Sequence, residues 1–270
     1  MVGGDKKDLF EKFARAGFAA RGVTYGLIGG LALAAAVGSG GNTTGSTGAL
    51  ESLTGSTAGM IVLALTGIGL FGYAIWRTTA AALDLENQGT DKKGIAKRVA
   101  HAGSGIFHAA LGIFAFSLVF GSGGNSGGGA AQWTATLMSA PFGRVLVGIA
   151  GVIGFIAAAA QIKKALREEY RQHIRIPEGK RVIDPAIKIG LMSRGAVFAV
   201  IGGFLIFAAS TANPDNARGV GGALTWLQNQ SYGGALLALV SVGLLAFAVY
   251  SFLQARYRFI PDPESSAKIS

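Results

Sequence analysis

The sequence predicts an all-α membrane protein in which six transmembrane helices form three parallel repeats of a helical hairpin. Two observations carry this prediction. Six runs of uncharged, mainly apolar residues each approach the roughly 20 residues that a spanning helix needs. The segment 21–30, in the first run, recurs at 194–203 with the Arg, the first Gly, the Ile and the closing Gly pair unchanged.

The composition is that of a membrane protein. Half of the 270 residues are apolar, 14% are charged and the mean hydropathy is +0.46, which sets the chain apart from ordinary soluble domains. The first run is too long for the core of a cleavable signal peptide and lacks a small-residue cleavage site, so we expect it to remain as a span. The predicted spans are 16–38, 58–82, 98–120, 142–166, 187–210 and 232–255.

The repeats are predicted at residues 10–85, 94–170 and 183–258 of a single transmembrane domain, 1–270. A weaker middle copy of the recurring segment lies at 104–112. Each repeat holds two spans, so all three enter the membrane in the same sense. Parallel repeats of this kind predict a pseudo-threefold axis along the membrane normal.

The net charge of +10 is unevenly distributed. Basic residues crowd the two termini and the connections between repeats, whereas the connections within repeats hold little beyond Arg144 and Arg218. The positive-inside rule then predicts that both termini are cytoplasmic. No nucleic-acid partner is expected, because a recognition motif is missing. The crowded basic residues are Lys6, Lys7, Lys12, Arg15, Lys92, Lys93, Lys97, Arg98, Lys163, Lys164, Arg167, Arg171, Arg175, Lys180, Arg181, Lys188, Arg256, Arg258 and Lys268.

The connections within repeats begin with Gly-, Ser- and Thr-rich stretches at 38–57 and 121–129, of which the second reads as a flexible linker. The pieces around 49–53 and 223–227 predict short amphipathic helices at the outer interface, with a buried loop as the alternative. Trp133 and Trp226 suit headgroup depth there.

Aromatic residues also mark the other end of the spans. Tyr73-x-x-Trp76-Arg77 near the end of the second span corresponds to Phe247-x-x-Tyr250-Ser251 near the end of the sixth. This pattern predicts an aromatic belt, with Arg77 extending towards the headgroups.

Three motifs give the chain a family resemblance: Ala16-Gly17-x-x-x-Arg21-Gly22-x-x-Tyr25, Gly190-x-x-x-Arg194-Gly195-x-x-Phe198 and Pro141-Phe142-Gly143-Arg144-x-Leu146. Over nearly its whole length the sequence resembles the bacterial membrane proteins known as domain of unknown function 1206, which carry a two-helix unit three times. The resemblance implies this fold and a bacterial inner (plasma) membrane location, and it implies no activity. The middle repeat departs from the motif, with Ser104 in place of Arg and His108 in place of Tyr or Phe.

Arg21 and Arg194 are the first candidate functional residues, because an ionised side chain inside a span is costly without a partner. One interpretation is that both extend to nearby lipid phosphates. The other is that repeat symmetry brings Arg21, Ser104 and Arg194 into one ring that binds an anion, a lipid headgroup or an acidic residue of a partner. The candidate ligand-binding set is completed by Tyr25, His108 and Phe198, four residues further on in each repeat.

Small residues at intervals of four predict close helix packing, since they let backbones approach each other in lipid. A dinucleotide-binding role is excluded, because no strand precedes these glycines. The predicted packing residues are Gly22, Gly26, Gly30, Gly105, Gly195 and Gly203.

The sequence predicts no cofactor and no metal. His101 and His108 lie on one face of the third span at different depths, so one haem iron cannot take both, and we expect His108 to be a hydrogen-bonded core residue. Cysteine is absent, and no span contains Asp or Glu. Neither paired carboxylates nor a nucleophile with its base is evident, so we do not expect an enzyme.

Two functions remain as hypotheses. The first is a non-catalytic accessory or scaffold subunit, or a module that binds lipid or another hydrophobic ligand. Its partners would be membrane lipids, a membrane protein or further copies of the chain. The second is a small channel or transporter with a pore on the pseudo-threefold axis and an Arg-lined cytoplasmic mouth.

Overall fold

The computed structural model describes residues 2–121, 130–174 and 183–261, with side chains from Lys7 onward. Six of its helices are long and apolar enough to cross a membrane, as predicted, and these ranges contain no strand, which confirms the all-α class. The six are α1 (Val2–Ala36), α3 (Thr57–Ala82), α4 (Lys92–Val119), α6 (Gly143–Leu166), α7 (Asp184–Thr211) and α9 (Gly233–Tyr257). We call the end of the bundle where α1 begins and α9 ends the termini face.

Local sequence signals fix where several of these helices begin. Ser56 Oγ accepts a hydrogen bond from the Gly59 N–H at 3.1 Å, which caps α3. Asp91 Oδ1 accepts one from the Gly94 N–H at 2.9 Å, which caps α4. Such caps satisfy backbone donors that have no partner within the helix. Pro185 occupies the first turn of α7, where its missing N–H costs nothing.

The spanning helices pack side by side in the order α4–α3–α1–α9–α7–α6. The second helix of each repeat packs against the first helix of another in all three cases: α3 on α4, α6 on α7 and α9 on α1. Within repeats, α1 packs on α3 and α7 on α9, whereas α4 and α6 make no comparable contact in the described ranges. The middle hairpin is therefore open, and the threefold axis stays a prediction.

Short helices occupy the connections within repeats at the opposite end, which we call the loop face. They are α2 (Ser46–Glu51), α5 (Ala130–Met138) and α8 (Val220–Gln228). Leu50 of α2 and Leu224 of α8 are fully buried, and Thr43 Oγ1 lies 2.7 Å from Thr225 Oγ1. The first and third short helices thus pack onto the bundle, while Trp133 of α5 is 73% exposed.

Apolar side chains fill the bundle beneath α2 and α8. One buried cluster joins Ile28 of α1, Val197 of α7 and Leu237 of α9 to Leu224. A second buried cluster, centred on Leu70 of α3, joins α1, α2, α3 and α4. The polar groups of the bundle consequently gather near the termini face.

Several predicted packing glycines lie at close helix contacts. A Cβ on Gly22 would meet the Phe252 ring at 2.9 Å, one on Gly105 would meet Thr78 Cγ2 at 2.7 Å, and one on Gly195 would meet the Ala158 carbonyl oxygen at 3.1 Å. Gly26 and Gly203 make only ordinary van der Waals contacts at that position, at 3.8 and 3.9 Å.

Gly30 requires a correction. A Cβ there would meet nothing within 4 Å, whereas one on Gly29 would lie 3.0 Å from the Leu245 backbone nitrogen. The reason is geometric: seven residues make about two helical turns, so Gly22 and Gly29 share the face towards α9, and Gly30 is rotated away by about 100°.

Some predicted features lie outside the described residues. They are the linker residues 122–129 and the basic residues Arg175, Lys180, Arg181 and Lys268.

Candidate functional site

A polar cavity of about 340 Å³ opens at the termini face, and all six spanning helices contribute to its wall. Six basic side chains line it against two carboxylates, so its charge is positive. The basic residues are Arg21, Arg77, Lys97, Lys164, Arg194 and Arg258, and the carboxylates are Glu86 and Glu169.

Arg21 is buried and hydrogen-bonded to two neighbouring helices. Its Nη1 donates to Tyr73 Oη of α3 at 2.8 Å. Its Nε donates to Ser251 Oγ of α9 at 3.3 Å, and its Nη2 donates to Gln254 Oε1. Because the side chain is only 6% exposed, Arg21 does not extend to lipid phosphates. It joins α3, α1 and α9 around the cavity instead.

Arg194 is held by a hydrogen bond and by aromatic rings. Its Nε donates to Tyr25 Oη at 2.9 Å, and its Cζ lies 4.5 Å from the Phe198 ring centroid and 4.8 Å from that of Phe247. Aromatic faces attract a guanidinium and orient it. Within the described part of the chain its two Nη atoms have no hydrogen-bond partner, so the fork that binds carboxylate or phosphate is available at the cavity. Tyr25 and Phe198 therefore position Arg194.

Ser104 does not join the two arginines. It is absent from the cavity wall, and its carbonyl oxygen lies 2.7 Å from His108 Nδ1. The His108 ring is buried and packs on Tyr73 with centroids 4.4 Å apart. The structure thus brings Arg21 and Arg194 to one cavity, while Ser104 and His108 belong to the contact between α4 and α3.

Glu86 lies in a charged connection after α3, where the sequence favours a solvated residue, but it is the centre of a buried ion-pair network. Its Oε1 lies 2.6 Å from Arg258 Nη2 and 3.5 Å from Arg77 Nη1, and its Oε2 lies 3.7 Å from His101 Nε2. Burial alone would raise the pKa of Glu86, but the charges of Arg77 and Arg258 outweigh it and lower that pKa to about 2. Glu86 is therefore charged at neutral pH.

The predicted aromatic belt is part of the core. Tyr73 and Trp76 are each 1% exposed, and the Arg77 guanidinium lies over the Trp76 ring at 4.5 Å. Aromatic residues near the end of a spanning helix fit both a lipid interface and a protein core. Phe247 and Tyr250 repeat the spacing of Tyr73 and Trp76, and this recurrence is the feature of the sequence that indicates a shared internal role.

The Tyr250 hydroxyl is a further group on the cavity wall that lacks a hydrogen-bond partner among the described residues. The Tyr250 side chain is 2% exposed. Lys164 Nζ lies 5.9 Å from the Tyr250 ring centroid. A buried hydroxyl without a partner is costly, and a ligand that accepts a hydrogen bond would satisfy it.

Within the described ranges, His, Asp and Glu nowhere form a group of three that could hold a metal ion. Most of the polar side chains that line the cavity carry N–H or O–H donors.

These observations define an all-α, multi-pass membrane protein with an internal repeat and a basic cavity at one face. A family model described as Domain of Unknown Function (DUF1206) matches residues 16–84, 99–168 and 189–258. The matches lie within the three predicted repeats, and the chain belongs to this family.

A relative in Bacillus subtilis (strain 168), named Uncharacterized protein YxxB, is 31% identical over 258 residues. The alignment covers 94% of this chain and 93% of that protein. No solved structure matches the chain.

Proposed function

We propose that the protein is a non-catalytic membrane module that binds an anionic ligand in the basic cavity. The observation that carries the proposal is a set of donors at the cavity wall that have no hydrogen-bond partner among the described residues: the Arg194 fork, Lys164 Nζ and the Tyr250 hydroxyl. We further propose that the termini face is cytoplasmic, in a bacterial inner membrane, because that face carries most of the basic residues.

The charge balance supports an anion. On the cavity wall, Glu86 already pairs with Arg77 and Arg258. Glu169, also on the wall, pairs with Lys163, which is not part of the wall; Lys163 Nζ lies 3.1 Å from Glu169 Oε1. Lys97, Lys164 and Arg194 line the cavity with no acidic partner in the described ranges. Three such charges close to low-dielectric protein and lipid favour an incoming negative group.

A binding role fits the cavity better than catalysis. Glu86 is held charged in ion pairs, with a pKa lowered to about 2 by Arg77 and Arg258 against the effect of burial, so it is a poor general base. We find no nucleophile with a neighbouring base among the residues that line the wall. The proposal that the protein is not an enzyme rests on these properties of the side chains that line the cavity.

The channel hypothesis is the weaker alternative. The apolar clusters around Ile28, Leu70 and Leu237 stand between the cavity and α2 and α8. An ion crossing them would lose its hydration without replacement ligands. We expect liposomes that contain the protein to pass chloride and phosphate no faster than empty liposomes; faster flux would favour a channel.

Lys164 and Arg167 provide a matched test of anion binding. Both lie near the end of α6, but only Lys164 lines the cavity, whereas Arg167 is exposed. We would titrate the full chain in neutral detergent with inorganic phosphate and with dioctanoyl phosphatidylglycerol. Lys164→Gln should weaken binding about fivefold, the effect of roughly 1 kcal/mol for one basic residue, and Arg167→Gln should leave it unchanged.

If the wild-type chain binds neither probe, the anion-binding proposal fails. Equal losses for Lys164→Gln and Arg167→Gln would show that the anion is held by surface charge and not by the cavity.

A further inference from the structure

The open middle hairpin has a cause in the sequence. Gly17 of α1 and Gly190 of α7 lie against the backbones of Tyr73 and Phe247, where an added Cβ would come within 2.5 Å of a backbone nitrogen. The corresponding residue of α4 is Ala100, which is exposed. A Cβ at this position prevents the close approach that holds the other two hairpins together.

The second helix of the middle repeat lacks the matching large side chains. Tyr73 and Trp76 of α3 correspond to Phe247 and Tyr250 of α9, and all four are buried. In α6 the same positions are Ala157 and Ala160, and Ala160 is exposed. On the α4 side of this contact Ala replaces Gly, and on the α6 side Ala replaces a bulky aromatic residue at both positions. The result is a gap between α4 and α6, which we call the seam.

The seam is continuous with the basic cavity. Lys97 and His101 of α4 and Gln161 and Lys164 of α6 all line the cavity wall, so both helices that border the seam also border the cavity. The helix α6 is the least buried spanning helix, with 17% of its apolar window buried against 28% or more in the others. A polar chamber therefore adjoins a lateral apolar opening.

From this juxtaposition we infer that the ligand of the cavity is an anionic phospholipid, whose phosphate binds in the cavity and whose acyl chains lie in the seam between α4 and α6. This inference rests on the proposed anion-binding function. The Arg194 fork and Lys164 Nζ suit a phosphate diester. The apolar seam suits the chains that remain attached to it, and a headgroup can enter sideways from the bilayer.

The seam can be filled from the α6 side by restoring the residues of the other repeats there. Ala157→Tyr with Ala160→Trp places the α3 pair on α6, while Ala159→Trp adds the same indole about 100° around the helix as a control. The wild-type chain and both variants would be reconstituted in nanodiscs of dioleoyl phosphatidylcholine with added dioleoyl phosphatidylglycerol. Native mass spectrometry would then count the lipids retained on release, and binding of inorganic phosphate would report an intact cavity.

We expect the wild-type chain and Ala159→Trp to retain phosphatidylglycerol in preference to phosphatidylcholine. The double variant should lose that preference and still bind phosphate. Undiminished retention by the double variant would overturn the inference. So would a wild-type chain that binds phosphate and shows no preference for phosphatidylglycerol, although the anion-binding function would then survive. If closing the seam releases a second copy of the chain and no lipid, the seam is a dimer contact, and this result would also overturn the inference.

Discussion

Arg258 and Glu86 tie the end of the last repeat to the end of the first, with Arg258 Nη2 2.6 Å from Glu86 Oε1. Arg258 is 4% exposed, and burial lowers its pKa while Glu86 raises it. Two buried charges so close together stabilise the fold only while both are ionised. The state of this pair therefore links stability to pH.

We expect the protein to lose stability in acid through Glu86. Its pKa in the folded protein is about 2, below the ordinary value of 4.5. A carboxyl group whose pKa is lower in the folded than in the unfolded protein stabilises the fold at pH values above its unfolded pKa, by roughly 3 kcal/mol for Glu86. This stabilisation is lost as the pH falls from about 4.5 through 2. Thermal unfolding of wild type and Glu86→Gln in detergent between pH 7 and pH 2 tests this.

Glu86→Gln should unfold at a lower temperature than wild type at pH 7 and should depend less on pH. The exposed Glu51 is the control, and Glu51→Gln should follow the wild-type pH profile. Parallel profiles for wild type and Glu86→Gln would contradict the assignment.

Arg21→Gln should destabilise the bundle strongly. The substitution removes the donors to Tyr73, Ser251 and Gln254 and leaves these buried groups without their partner. We expect a loss of about 3 kcal/mol, in the range for breaking a buried charged network. The control is the exposed Lys12 of the same helix, whose replacement by Gln should change stability by less than about 0.5 kcal/mol. Equal unfolding midpoints for the two variants would refute this role for Arg21.

Arg194→Gln should affect binding more than stability. Only its Nε has a partner in the described residues, so the fork that meets an anion is lost while little of the fold is. The loss of charge-assisted hydrogen bonds that contribute about 1.5–3 kcal/mol should lower the affinity for the phosphatidylglycerol probe by roughly 10- to 100-fold. The affinity of Arg194→Lys should lie between those of the wild type and Arg194→Gln, since Lys keeps the charge and loses the fork. A Lys variant as weak as the Gln variant would argue that the fork geometry alone matters and the charge does not.

Gly17→Ala and Gly30→Ala separate helix packing from helix propensity. A Cβ on Gly17 would meet the Tyr73 backbone nitrogen at 2.5 Å, whereas one on Gly30 would meet nothing within 4 Å. Gly17→Ala should therefore cost about 1–3 kcal/mol through overpacking, and Gly30→Ala should be neutral or slightly stabilising. Unfolding midpoints measure both, and a stable Gly17→Ala variant would show that α1 and α3 can separate freely.

The spans and the repeat were predictable because they depend on local properties. Uncharged runs of sufficient length specify spanning helices whatever their neighbours are. The internal repeat places Arg21 and Arg194 at equivalent positions. The prediction that these two arginines share one region likewise needed only the repeat, and both line the cavity.

What could not be predicted depends on which helix faces which. Tyr73-x-x-Trp76-Arg77 is compatible with a lipid interface or a core, and only the position of α1 against α3 decides between them. Gly29 and Gly30 are indistinguishable until the direction of α9 is known. Glu86 lies after α3 and meets Arg258 across 172 residues, a pairing that no local pattern contains.

The bonds of Arg21 also set the order of assembly during synthesis. Ser251 and Gln254 are translated 230 and 233 residues after Arg21, a delay of roughly 10 to 50 seconds at about 5–20 residues per second. During that time Tyr73 is available to the guanidinium but Ser251 and Gln254 are not, so water or headgroups must solvate its remaining donors. The bundle can close around α1 only when the last helix arrives, which makes α9 the element that completes biogenesis.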